Sequence, residues 1–304
     1  MDWDHASQLY MFGGFEDILV FGMVVSDSGI TSEYRLSLPL DSLHVRLLMV
    51  ERAHLPAEAW DFLLSNSHWR LYQNSCPGAF LIHDGERTDM SAGEVYLIPA
   101  GREVRSFNTV SLTQFYIHFD LIGLPQIALR ELFSGPVRVP SPEQFKATVT
   151  RLGESIRSDV DVALGTECLA KAVVYEALGH YLMAVPAEQR ERWGRRLTKI
   201  GPVLAAIQRI EDAPASRLTI AELAGLCHMS EDHFIRRFGD CAGQSPIRYI
   251  LDRRIALAAQ RLLFTDESIE AVATATGFGN RYYFTRMFTR HTGCPPAAFR
   301  KGAR

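Results

Sequence analysis

The chain writes nearly the same phrase twice: "FIRRF" at 234–238 and "FTRMF" at 284–288. In each copy two phenylalanines stand four apart, with an arginine two residues after the first. Positions i and i+4 share one face of a helix. Phe234 and Phe238, like Phe284 and Phe288, therefore turn inward together, and Arg236 and Arg286 lie well round the helix from them. The repeat reaches further. Ile220 and Ala224 match Ile269 and Ala273 at an offset of 49. After one extra residue in the second turn, Phe234, Arg236, Phe238, Gly243 and Pro246 match Phe284, Arg286, Phe288, Gly293 and Pro296 at an offset of 50. The single slip falls in a turn, where an added residue disturbs no helix face.

Each unit reads as two short helices. Thr219 and Ser268 are N-cap residues before the apolar-periodic stretches Ile220–Leu223–Ala224 and Ile269–Val272–Ala273. The turns "CHMS" and "GFGN" end at Ser230 and Asn280, each a suitable cap for the next helix. This is the helix-turn-helix pattern, whose second helix enters the DNA major groove. Between the units, "PIRYILDRRIALAAQRLLF" (246–264) starts with Pro246 at a helix N-terminus. Ile250, Ile255, Leu257, Ala258, Leu262 and Leu263 supply its apolar stripe, and Arg253, Arg254 and Arg261 are expected to remain exposed. Nineteen residues make a rod of about 28 Å, and successive major-groove faces lie about 34 Å apart. A rod of this length suits two recognition helices roughly one turn apart.

Charge follows the same division. The net charge of −3 is the sum of +7 over residues 195–304 (17 Lys+Arg against 10 Asp+Glu) and −10 over the rest (15 against 25). A basic tail on an acidic body points to an anionic partner for the tail. Five cysteines, with no CxxC pair, fit neither a zinc cluster nor a disulfide framework and suit a reducing cytoplasm. "MDWDHASQLY" lacks the pattern of a signal peptide, and no run of about twenty apolar residues suggests a membrane partner.

Residues 200–304 resemble the DNA-binding domain of the AraC/XylS family of bacterial transcription regulators. "LTIAELAGLCHMS", "FIRRF", "AGQSPIRYILDRRIALAAQRLL", "SIEAVATATGFGNRYYFTRMFTRHTGCPP" and the final "AFR" carry the resemblance in the family's order. The resemblance implies that Asp232, Ile235 and Arg236 are outward positions of the first recognition helix, and Arg281, Tyr282 and Arg286 those of the second. Arg236, Arg281 and Arg286 suit guanine O6 and N7, Asp232 a cytosine amino group and Ile235 a thymine methyl; Tyr282 suits a base or a phosphate. For every arginine a phosphate contact or a surface ion pair is the alternative role. His233, Arg237, Arg290 and Lys301 are expected on the phosphate side or in structural roles. Arg237 departs from the family's frequent apolar residue, which Met287 keeps in the second unit.

The acidic body changes character between about 67 and 122. "HWRLYQNS", "GAFLIHDGE", "GEVYLIPAG" and "LTQFYIHFDLI" are short, rich in aromatic and β-branched residues, and bounded by turns; Asp84-Gly85 makes a tight hairpin corner. "SAGEVYLIPAG" and "FYIHF" resemble pieces of a cupin-like β-barrel, the sensing half of an AraC-type regulator. Residues 1–66 are expected to add strands and an arm. The strand "FLIHDGE" has one histidine, His83, and no HxH pair, and Val104 stands where the family often has histidine. No metal, cofactor or enzyme activity is expected on this basis. Alternation puts Tyr116 and His118 on one face, opposite Phe115, Ile117 and Phe119. Tyr116 and His118, with His83 and Arg102, are the candidate ligand-binding residues, and a structural tyrosine and a core histidine are the alternative for the first two.

Residues 141–185 turn to helical spacing. Phe145, Val149, Leu152 and Ile156 form one stripe, and Leu169, Val173, Leu178 and Tyr181 a second. In the resembled family such helices often form the dimer interface, and packing on their own barrel is the competing role. Residues 186–199 read as a linker.

The expected fold is α+β in two domains: a cupin-like sensing and dimerisation domain (1–185) and a tandem helix-turn-helix domain (200–304). The expected function is a cytoplasmic homodimeric regulator, activator or repressor, binding double-stranded promoter DNA. A small sugar-like effector is expected to alter the disposition of the DNA-binding domains and their contacts with RNA polymerase. The alternatives are a cupin-type enzyme with a DNA-binding tail, and a regulator whose sensor binds a protein or no ligand.

Overall fold

Strand alternation sorts the side chains of the acidic half between two packed layers. The computed structural model describes residues 24–26, 29–31, 43–64, 67–123, 125–156 and 164–302. Residues 1–42 and 43–304 are separate units. The first contains an antiparallel pair, β1 (Val24–Ser26) and β2 (Gly29–Thr31). The rest of the expected arm lies outside the described residues.

Nine strands follow among the described residues: β3 (His44–Leu55), β4 (Phe62–Leu64), β5 (Trp69–Asn74), β6 (Ala79–His83), β7 (Glu86–Met90), β8 (Val95–Ile98), β9 (Val104–Asn108), β10 (Leu112–Ile122) and, after helix α1 (Gln126–Leu132), β11 (Val137–Arg138). They form two antiparallel sheets with orders β11-β8-β5-β10-β3 and β4-β9-β6-β7. Asp84 and Gly85, both at positive φ, turn β6 into β7 as expected of an Asp-Gly corner. Tyr72, Tyr96, Ile98, Leu81, Met90 and Val104 pack between the sheets. The opposite face of the larger sheet, with Trp69, Leu71, Phe115, Ile117 and Phe119, packs beneath helices. β5 is thus buried on both faces along its whole length.

Two of the covering helices are α2 (Glu143–Ser155) and α3 (Leu164–Ala184). Phe145, Val149, Leu152, Val173 and Leu178 all enter the core beneath them, so packing on their own sheet is one role these helices fill. Leu169 is 57% exposed, which removes it from the expected buried stripe; Leu164 and Met183 are also exposed on α3. No single helix among the described residues is long and apolar enough to cross a membrane.

The segment expected as a linker is helical: α4 (Ala187–Ile200) begins after Pro186. Leu197 and Ile200 are buried, and the Gln189 side-chain amide donates to the carbonyls of Glu131 (3.1 Å) and Leu132 (2.7 Å) at the end of α1. The charged residues that suggested a linker are the solvent face of an amphipathic helix. A 3-10 turn (Gly201–Val203) leads into α5 (Leu204–Asp212), and then the repeat begins.

The two units are α6–α7 (Ile220–Leu226, Glu231–Ala242) and α9–α10 (Ile269–Ala275, Arg281–Thr292), joined by α8 (Pro246–Phe264) and closed by α11 (Pro296–Gly302). Thr219, Ser268 and Asn280 cap their helices through side-chain oxygens that accept from backbone N–H groups three residues on. Ser230 makes no such bond, so this expected cap is absent although its backbone has the extended cap conformation. Gly243 and Gly293 end α7 and α10 in the left-handed conformation. Gly277, also at positive φ, is required for a second reason: a Cβ there would lie 2.5 Å from the Ala215 carbonyl oxygen.

Candidate nucleic-acid interface and effector face

The repeated phrase packs alike in both copies. Phe234, Phe238, Phe284 and Phe288 are fully buried, and the ring centroids of each pair are 5.5 Å apart. Leu223 and Ala224 are buried under the first pair's helix, and Val272 and Ala273 under the second's. Anchored this way, α7 and α10 present fixed outer faces. Asp232, Ile235 and Arg236 are exposed on α7, and Arg281, Tyr282 and Arg286 on α10. All six candidate DNA-reading residues are therefore free of the cores.

On α10, Arg281, Tyr282, Thr285, Arg286, Thr289 and Arg290 line one open concave surface. The Arg286 guanidinium carbon lies 5.5 Å from the Tyr283 ring centroid, a cation–π contact that restricts the arginine before any partner arrives. On α7 the Arg236 Nε points back to the Asp232 carbonyl at 3.4 Å. Arg237 is exposed, while its counterpart Met287 packs on the second core. His233, Arg290 and Lys301 are exposed as well.

The arginines of α8 differ from the expectation that they remain exposed. Arg254 donates to the carbonyls of Pro214 (2.8 Å), Ser216 (2.8 Å) and Gly277 (3.0 Å), tying both units to the linker helix. Arg261 forms a two-pronged pair with Glu267. Arg253 faces Glu211, whose carboxyl burial pushes up against the pull of Arg253 and of the Tyr249 hydroxyl that donates to it. These three partly buried guanidinium groups hold the domain together.

In the acidic half, Tyr116 packs toward the inter-sheet cluster, whereas Phe115, Ile117 and Phe119 pack under the helices. Tyr116 and His118 therefore share the inner face, with ring centroids 4.9 Å apart. The Tyr116 hydroxyl donates to the Glu51 carboxylate, and burial followed by that bond pushes its pKa well up. His83 and Arg102 lie elsewhere, at the end of α1. The two His83 ring nitrogens meet the carbonyls of Glu103 (2.8 Å) and Ser134 (2.9 Å), and Arg102 donates to those of Arg130 (3.0 Å) and Phe133 (3.4 Å). These bonds run to the backbone around the end of α1, whereas Tyr116 and His118 lie together on β10.

Sequence reasoning passed over His68 and Arg70. Both are buried, and Arg70 pairs directly across from His118. The alternation His-Trp-Arg-Leu-Tyr at 68–72, with apolar Trp69 and Leu71 on the outer face, was the available signal. Burial, then Arg70 and His118, hold His68 well below the usual 6.5; burial and Arg70 do the same for His118. Both rings stay neutral in the folded chain while an unfolded chain protonates them near pH 6.5. Below that pH the unfolded state binds protons the native state excludes. Stability should then fall by up to about 1.4 kcal/mol per pH unit for each histidine, until the native pKa is reached. Urea unfolding between pH 7.5 and 5.5 should show this slope, and a His68→Gln/His118→Gln variant should flatten it.

The acidic half also meets the linker helix. The Gln260 side-chain amide donates to the Ser67 carbonyl (2.7 Å) and Asp120 Oδ2 (3.3 Å), and its Oε1 accepts from Arg46 (2.9 Å). Arg46 also pairs with Asp120 at 2.9 Å. At the end of α8, the Phe264 ring lies 5.0 Å from His68 and 5.8 Å from His118, centroid to centroid.

The C-terminal half is similar in sequence to known proteins. Residues 223–302 match the family described as a helix-turn-helix domain. The MmsAB operon regulatory protein of Pseudomonas aeruginosa is 36% identical over 89 residues, 29% of this chain and 29% of that protein. The raffinose operon transcriptional regulatory protein RafR of Pediococcus pentosaceus is 22% identical over 237 residues, 74% of this chain and 81% of its own. A solved transcriptional regulator from Chromobacterium violaceum, described by its AraC-type DNA-binding domain, is 24% identical with a TM-score of 0.33. It covers 34% of this chain and 92% of that one. The first curated relatives are matched over only 29–40% of their length.

Proposed function

We propose, from the premise that this chain belongs through its C-terminal domain to the AraC/XylS family of transcriptional regulators, that it binds promoter DNA sequence-specifically through α7 and α10. The observation that carries this reading is the duplicated, phenylalanine-anchored helix with an outward arginine at the same place in each copy. Arg236, Arg281 and Arg286 take guanine edges, Asp232 a cytosine amino group, Ile235 a thymine methyl, and Tyr282 a base or phosphate. The proposed domains are a sensing and dimerisation half up to 185 and a DNA-binding half from 200, with α4 a helical connector between them.

Two antiparallel sheets with polar aromatic residues on their inner face support a cupin-like sensor for a small polar effector. Within it we assign Tyr116 and His118 to the ligand side, and His83 and Arg102 to support of α1. The exposed apolar side chains Leu164, Leu169 and Met183 of α3 suit a homodimer contact. An effector then acts by favouring one disposition of the DNA-binding halves over another, and with it contact with RNA polymerase. Regulators among the relatives support a non-enzymatic role, in the cytoplasm with the DNA.

The test is binding of the full chain to DNA upstream of its own gene and to a scrambled duplex, at several salt concentrations. Selective binding is expected. Equal, steeply salt-dependent binding to both would mean phosphate contact alone. Coupling between the halves is tested at Gln260. Gln260→Ala removes the buried amide that joins the Ser67 carbonyl, Asp120 and Arg46. It should destabilise the chain by about 1–3 kcal/mol in urea unfolding and weaken any effect of an effector on DNA affinity. Unchanged stability would remove Gln260 from the coupling.

A further inference from the structure

Among the described residues, Arg70 is a cation without an anion. Its side chain is almost wholly buried in the middle of the larger sheet. One terminal nitrogen donates to the His68 carbonyl at 3.3 Å, and its Nε has no partner. Among the described residues no carboxylate pairs with it, and burial accordingly lowers its pKa with only Tyr72 opposing. Asp120 and Glu51, the nearby acids along β10 and β3, are engaged by Arg46 and Tyr116. A buried charge left unpaired is strongly unfavourable, and its presence calls for a partner.

The surroundings fit such a partner. His68 Nε2 and His118 Nδ1 are also shut off from solvent with no hydrogen-bond partner, and the two rings lie 4.7 Å apart. Three orphaned nitrogens thus gather on one inner face. Both histidines are neutral, so they offer N–H groups without adding charge to Arg70. The register of β10 against β3 shifts between His118 and Phe119, leaving Leu48 as the extra residue of a bulge. Bulges re-aim side chains and concentrate beside functional sites. Tyr72 and Tyr116 continue the face with apolar surface, and Phe264 of α8 lies over both histidines.

We propose that this face is a binding site for a small organic carboxylate, in which Arg70 supplies the charge, His68 and His118 supply N–H donors, and Phe264 closes the site. The inference rests on the sensor reading above and narrows it from a polar effector to an acid. Because the closing residue ends the helix that joins the two DNA-reading units, occupancy at Arg70 reaches the DNA-binding half through Phe264.

The test compares acids with neutral counterparts on the full chain: hexanoate with hexanamide, phenylacetate with phenylacetamide, and glucuronate with glucose. Melting temperature and affinity for the upstream DNA are both read. At least one acid should raise the melting temperature where its counterpart does not. Arg70→Gln should abolish the shift, and His118→Leu should weaken binding by about tenfold or more, as loss of a hydrogen bond to a charged group does. Arg70→Lys, which keeps the charge, should retain part of it if the Gln variant fails to fold. Glucose stabilising as well as glucuronate would overturn the carboxylate site and leave a neutral-effector sensor standing. No acid exceeding its counterpart would also overturn it. Stabilisation by an acid in wild type but not in Arg70→Gln, without change in DNA affinity, would uphold the site and refute the sensor reading instead.

Discussion

Phe284→Ala should cost the protein about 3–5 kcal/mol, as removal of a fully buried aromatic ring does. The ring is 0% exposed and packs between Phe278 and Phe288, at 5.0 Å and 5.5 Å. Backbone at Gly277 is locked against Ala215, and α9 and α10 are held at both ends, so the second unit has little room to collapse into the void. Against a typical total stability of about 5–15 kcal/mol, that loss should bring the urea midpoint down sharply with little change in slope. Phe234→Ala tests the same anchor in the first unit, and the repeat predicts a loss of the same size. Tyr282→Ala, at a side chain 87% exposed, should change stability by no more than about 0.5 kcal/mol. A small loss at Phe284 would mean that α10 is not seated by its phenylalanines.

The second large effect is on DNA. Arg286→Ala should weaken binding to the specific site by about 1–3 kcal/mol and relax selectivity at one base pair, with stability unchanged. Arg281→Ala should do the same at a neighbouring position, and the double variant should lose most of the second unit's discrimination. The two arginines line the same open surface of α10, and the Tyr283 ring holds Arg286 in place beforehand. A phosphate role would look different: affinity would fall uniformly across sequences, and the salt slope would drop by about one. That outcome at both positions would move base reading elsewhere on the helix.

The helical half was legible in the sequence because its determinants are local. N-caps at Thr219, Ser268 and Asn280, glycines at 243 and 293, and phenylalanines four apart need only a helix to take effect. The inner face of β10 was legible for the same reason, through a period of two. What stayed hidden depends on distant partners. Arg253, Arg254 and Arg261 look like the wet side of an amphipathic rod, yet the carbonyls that Arg254 captures belong to residues 214, 216 and 277. His83 and Arg102 look available until the 130–134 backbone is folded against them. That 186–199 is helical was hidden because its charges outnumber its apolar residues, of which Leu197 is the buried one. Arg70 was readable in principle, since a cation alternating with Trp69 and Leu71 must face the other way. That no acid among the described residues pairs with it needed the fold.

These features converge on one central claim: the phrase is repeated because the groove is. Methylation protection of guanine N7 by the full chain, on DNA upstream of its own gene, tests it most directly. The account predicts two clusters of protected guanines about 10–10.5 bp apart on one side of the duplex for each DNA-binding domain. The Arg281→Ala/Arg286→Ala double variant should erase one cluster and Arg236→Ala the other. A single cluster, unaffected by Arg236→Ala, would contradict it and leave α7 as a structural copy of α10 that does not read DNA.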